Sequence, residues 1–210
     1  MDIRGSLESV ILEFQRDGLL LESDPHLPSI THLVAGEAIR GSWWGHAKGR
    51  EIWRVLNEFV ERKDVLITRL VSGKVTFVHR TLWPDLLGIA SSEEGWQTSD
   101  LSTDGKRLFL LVKKRGTIRT DELTQGFHFS GKIGDTVREL ERRLLVHSEE
   151  VHTEKGSHAK VLRSWSSWSQ MSNLQSIRTD PAEAKGRFEA ILRRLNEKYR
   201  GNGRLPWSAS

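Results

Sequence analysis

The chain has 210 residues, enough for one large domain or two small ones, and a hydrophobic fraction of 37% with a mean hydropathy of -0.47 suits a soluble globular protein. The absence of cysteine excludes disulfides, thiolate metal sites and cysteine nucleophiles. Lys and Arg number 32 against 28 Asp and Glu, a net charge of +4 that permits a nucleic-acid partner without demanding one. No apolar run reaches the length of a membrane span and no basic-then-apolar leader opens the sequence, so cytoplasmic residence without a membrane is expected.

Leu7, Val10, Ile11 and Phe14 recur at helical spacing and predict a first helix that stops at Gly18. Leu19-Leu20-Leu21 reads as a buried strand stub or a passage into a turn, and Asp24-Pro25 and Leu27-Pro28 break the pattern. Ser29 caps a short helix from Ile30 to Val34, before Gly36. Ile39 to Arg50 is a glycine-rich loop holding Trp43 and Trp44 among Arg40, His46, Lys48 and Arg50. Two readings apply: a candidate ligand loop contacting phosphates or bases, or a loop whose tryptophans anchor it to the core. The second is favoured, and the stretch lacks the Gly-Lys-Ser/Thr ending of a phosphate-binding P-loop. Ile52, Leu56, Phe59 and Val60 mark an amphipathic helix over about 47–62. Two β-branched runs, Val65 to Leu70 and Val75 to His79, flank a turn at Val71 to Lys74 and predict a hairpin, followed by a helix from Leu82 to Ile89 with Pro84 in its first turn.

The polar stretch Ser91 to Asp100 is the expected boundary between halves. A helix capped near Asp100, Ser102 or Thr103 buries Leu108, Leu111 and Val112 and stops at Gly116. Thr117 to Leu123 reads as a strand stub and a short helix capped by Thr120, and Ser130 caps a long helix over 131–143. Ile133, Val137, Leu140 and Leu144 form its inner stripe; Lys132, Asp135, Arg138, Glu139 and Arg142 face outward, and Glu141-Arg142-Arg143 reads as solvated. A strand over 145–153, a turn at Thr153 to Gly156 and a return strand at 159–163 complete the pattern, with Lys155, His158, Lys160 and Arg163 on or near the hairpin. This order is that of a winged helix-turn-helix, whose long helix enters the major groove and whose wing contacts phosphates. Trp165 and Trp168 sit on a short helical turn; a last helix opens at Asp180-Pro181, buries Phe188, Ile191, Leu192 and Leu195, and ends in Arg193, Arg194, Lys198 and Arg200. Gly201 onward reads as a tail. The fold class expected is α+β, with tandem winged-helix-like halves and a C-terminal helix. The expected domains are a helix and hairpin half over 1–92, a winged helix-turn-helix over 100–168 and a C-terminal helix over 178–200 packing on the body.

The run Arg138-Glu139-Leu140-Glu141-Arg142-Arg143-Leu144-Leu145-Val146-His147, then Glu149-Glu150-Val151-His152-Thr153 and Gly156, resembles the winged-helix segments of bacterial proteins related to the AlkZ/YcaQ DNA glycosylases, over roughly residues 101–168. The resemblance implies tandem winged helices around a DNA-binding channel and a catalytic Gln-x-Asp signature. Gln15-Arg16-Asp17 matches that signature formally, but at a helix end before Gly18, so the glycosylase activity is not carried over.

His147, His152 and His158 with Glu149 and Glu150 invite a metal, yet alternate residues of a strand point to opposite faces and each face offers at most two ligands; no metal and no cofactor is expected. The function expected is non-enzymatic binding of double-stranded DNA through Lys132, Arg138, Arg142, Lys155, Lys160 and Arg163. The alternatives are a base-excision enzyme or a degenerate relative of one, and a winged-helix module for protein association.

Overall fold

The computed structural model describes residues 6–125, 127–152, 158–174 and 179–208, which form two compact units, one built from 1–83 with 185–210 and the other from 84–184. Among the described residues no helix is long and apolar enough to cross a membrane.

The first unit runs α1 (Leu7–Asp17), β1 (Leu19–Leu21), α2 (Ile30–Ala35), a 3-10 turn at Trp43–Gly45, α3 (Gly49–Val60), β2 (Val65–Thr68) and β3 (Thr76–His79). Serine hydroxyls start the first two helices: Ser6 accepts from the Ser9 N–H at 3.2 Å and Ser29 from the His32 N–H at 3.3 Å. Gly18 and Gly36 end them at φ of 77° and 80°, a left-handed turn that costs glycine little. The sheet has the order β1-β3-β2, antiparallel throughout, with Leu20 opposite Phe77 and Leu66 opposite Val78. Ile52, Val55 and Phe59 of α3 are fully buried against Phe14, Leu20 and Phe77, and Phe59 meets both of those phenylalanines edge-on at 5.0 and 5.2 Å. Each such side chain contributes roughly 1.5–3 kcal/mol by leaving water.

The predicted tail is a structural part of this unit. Ser72 donates its N–H to the Arg204 carbonyl at 2.7 Å, and the Arg204 N–H donates to the Ser72 hydroxyl at 3.1 Å. Leu205 is buried, and the Trp207 indole donates to Glu189 at 2.9 Å. The low hydropathy of Gly201–Arg204 conceals this docking because its anchors are backbone groups and two residues further on.

The second unit opens with α4 (Trp83–Ala90), where the chain leaves the first, and α5 (Gly95–Thr98), then runs α6 (Thr103–Arg115), β4 (Thr117–Arg119), a 3-10 turn at Glu122–Gln125, α7 (Ile133–Arg142), β5 (His147–His152), β6 (His158–Arg163) and α8 (Trp165–Met171). Its sheet order is β4-β6-β5, again antiparallel, with Ile118 opposite Leu162 and Glu149 opposite Val161. Helix, strand, short helix, long helix and hairpin, with the first strand paired to the last, is therefore the plan of both units, and each is winged-helix-like. Val137 and Leu140 of α7 close the core over Leu108, Val112, Ile118 and Leu162. Leu144, at φ 52°, turns the chain from α7 almost directly into β5. The hairpin turn expected at Thr153 to Gly156 lies outside the described residues, as does Lys155; the last described pair before it is His152 with His158. The last helix, α9 (Pro181–Tyr199), carries the chain back to the first unit.

One expected cap is displaced. Ser130 does not start the long helix, because its N–H and hydroxyl both donate to Asp104 at 2.6 Å. The helix begins two residues later than expected, behind Lys132 and without a side-chain cap; α3 likewise begins behind Lys48 without one.

Candidate nucleic-acid interface

The period of α7 sorts its polar residues into two groups with different fates. Lys132, Asp135, Arg138 and Arg142 recur at spacings of three, three and four and are all exposed, so three cations and one carboxylate share one outward stripe. Arg138 holds Asp135 at 3.1 Å; the side chains of Lys132 and Arg142 carry no ion pair among the described residues. Glu139 turns aside to α6, where its carboxylate accepts from the Ser102 N–H at 2.8 Å and the Ser102 hydroxyl at 2.6 Å.

The solvated reading of Glu141-Arg142-Arg143 is corrected for two of its three members. Glu141 is 5% exposed and accepts from both Ser148 and Lys160. The Arg143 guanidinium donates to the backbone carbonyls of Trp96 at 3.0 Å and Asp100 at 3.2 Å, tying the end of α7 to α5 and to the stretch before α6. Only Arg142 is exposed.

Two of the wing cations, Lys160 and Arg163, are engaged. Lys160 serves the buried Glu141, and Arg163 pairs with Glu149 at 2.5 Å. His147 is buried beside Trp165 and Trp168, with ring centroids 5.8 and 5.7 Å away. Burial pulls its pKa down to about 4, assisted by the nearby Arg163 cation and opposed by Glu149 and Glu141. Among the described residues no cluster of three or more possible metal ligands occurs.

In the first unit the loop before α3 divides its tryptophans. Trp43 is 6% exposed and donates its indole N–H to Glu22 at 3.3 Å. Trp44 is 66% exposed and lies on Trp43, with centroids 4.2 Å apart and planes at 21°. Gly49 allows the start of α3 to pass under both, since a Cβ there would stand 3.1 Å from the Trp44 carbonyl oxygen and 3.2 Å from that of Trp43. His46 pairs with Glu37 at 3.1 Å, and Lys48 donates to the Val34 carbonyl at 3.0 Å, closing the C-terminal end of α2. Arg40 and Arg50 are exposed.

One face went unassigned in the sequence. Arg50, Trp53, Arg54 and Asn57 are exposed on a single side of α3, with Trp53 at 52% and Arg54 holding Glu58 at 2.9 Å. The signal was present, because Trp53 lies off the Ile52–Leu56–Phe59 stripe and a large aromatic outside the core stripe is informative.

Gln15 and Asp17 do not converge. Gln15 is exposed, whereas Asp17 is buried and held by Arg16 at 2.8 Å, with Arg194 and Lys198 each 3.7 Å away. Burial alone would raise the Asp17 pKa, but the Arg16 hydrogen bond and the three cations outweigh it and keep the carboxyl below its usual range.

Neither a curated protein nor a solved structure matches the chain. A family model described as "AlkZ related" matches residues 15–201, spanning both units and most of α9, and the chain belongs to the AlkZ-related family.

Proposed function

We propose that this protein is a non-enzymatic DNA-binding member of the AlkZ-related family. The observation that carries the reading is the α7 stripe: three cations against one carboxylate on the outward side of the third helix of a winged-helix-like unit, the element that enters the major groove in such folds. Lys132 and Arg142 are the main phosphate or base contacts and Arg138 joins them by releasing Asp135, whereas Lys160 and Arg163 act through the wing's structure. Trp44 and the α3 face with Trp53 form a second contact area, where exposed aromatic rings beside Arg50 and Arg54 suit stacking on bases. The ion-paired state of Asp17 does not favour base excision through Gln15 and Asp17. Binding of the purified protein to duplex and single-stranded DNA across a salt series tests the proposal. Affinity at low salt that falls linearly on a log–log plot supports it; no binding of either form at low salt refutes it.

A further inference from the structure

We propose that a hollow in the first unit, beside the Trp43–Trp44 loop, is a binding site for a phosphate ester. The hollow measures about 350 Å³ and is lined by residues that include Ser23, His26, Arg40, Gly41 and Lys74, with no carboxylate in its wall. Three elements that are distant in sequence bring these groups together: the turn after β1, the loop that leads to Trp43, and the residue that ends the turn between β2 and β3.

The carboxylate that contacts this wall, Asp24, is already committed. Asp24 is buried behind the wall; its Oδ1 accepts from the backbone N–H of His26 at 2.9 Å and of Leu27 at 2.8 Å, and its Oδ2 accepts from Lys74 at 2.6 Å. That contact uses one of three ammonium protons and fixes Lys74 in place, leaving donors for a second acceptor. Arg40 and His26 are exposed, and their side chains have no protein acceptor among the described residues. A guanidinium fork, an ammonium and an imidazole around one hollow match the several oxygens of a phosphate better than the two of a carboxylate. Gly41 lines the hollow at φ 88°, a left-handed conformation that glycine adopts at little cost. Four residues after Arg40, the exposed ring of Trp44 offers a stacking face for a base attached to that phosphate.

This inference deepens the DNA-binding reading and takes its ligand's identity from it, but the two fail separately. The test is calorimetric titration of the wild-type protein, Arg40→Ala, Arg40→Glu and His26→Gln with inorganic phosphate, thymidine 5′-monophosphate and an unphosphorylated oligothymidylate. Because Arg40 and His26 are exposed, melting temperatures should stay unchanged in all three variants. The expected result is wild-type binding of the oligothymidylate and, more weakly, of the monophosphate. Arg40→Ala should lose roughly tenfold in affinity, the size of one charge-assisted hydrogen bond, and Arg40→Glu more. Monophosphate binding that depends on Arg40, with neither the oligothymidylate nor duplex DNA bound at low salt, upholds the pocket and overturns the DNA reading. Oligonucleotide binding indifferent to Arg40 and His26 but weakened by changes on α7 overturns the pocket and leaves the DNA reading standing. Binding of inorganic phosphate alone, equal in all four proteins, overturns the pocket, as does wild-type protein that binds none of the probes.

Discussion

Lys160 of β6 and Glu141 of α7, 19 residues apart, form an ion pair in which the carboxylate is buried and the ammonium keeps only part of its exposure. A buried carboxylate that loses its ammonium partner is poorly compensated. Lys160→Ala should therefore lower stability by about 2–3 kcal/mol, less than for a fully buried pair because water reaches Lys160. Glu141→Leu combined with Lys160→Met should recover most of the loss. Urea denaturation of the three proteins checks this; an unchanged midpoint in Lys160→Ala would show that the pair contributes nothing.

The stacked tryptophans separate stability from binding. Trp43→Ala empties a core position and should cost about 3–5 kcal/mol. Trp44→Ala removes a ring exposed over most of its surface and should shift the melting temperature little, while weakening single-stranded DNA binding by about 1–3 kcal/mol. One thermal melt and one titration of each variant decide the matter; equal destabilisation by both would show that Trp44 is an anchor as well.

Arg138→Ala with Arg142→Ala should weaken duplex binding without unfolding the protein, because both side chains are exposed and off the buried stripe. The log–log salt slope should become shallower by up to about 1.8, near 0.9 for each phosphate that is no longer neutralised. Lys132→Ala should flatten it by the share of a single phosphate. A slope unchanged in the double variant would place the DNA elsewhere.

His147 predicts a pH dependence. The unfolded chain takes up the imidazole proton near the ordinary value of 6.5 and the folded chain only near 4. Its contribution is therefore complete above pH 6.5 and declines as pH falls towards 4, by about 3 kcal/mol in all. Asp17, Asp24 and Asp64 have lowered pKa values, so their losses are completed at still lower pH. His147→Phe should flatten the decline between pH 6.5 and 4, measured by chemical denaturation at each pH. A slope that survives this substitution would assign it to other groups.

What the sequence made legible was local. Gly18, Gly36 and Gly116 end helices where expected, Ser29 caps where expected, and the apolar runs of the first hairpin pair as strands, since each of these depends on neighbours within a turn. What it hid was pairing at a distance. Ser130 carries the chemistry of a cap, but Asp104, 26 residues earlier, takes both of its donors. Glu141 and Arg143 look solvated by composition, yet one is neutralised from β6 and the other binds carbonyls over 40 residues away. Adjacent Trp43 and Trp44 carry no local mark of which turns inward; that depends on the stack and on Glu22.

The reciprocal hydrogen bonds between Ser72 and Arg204 join positions 132 residues apart in the chain. The first unit is made of two stretches of chain, and its second stretch is synthesised only after all of residues 84–184. The middle unit thus has its whole sequence in one continuous stretch, whereas the first needs α9 and Leu205 from the chain's last stretch. A chain truncated after Ala184 should therefore hold a protease-sensitive amino-terminal half and a resistant central unit, read by limited proteolysis.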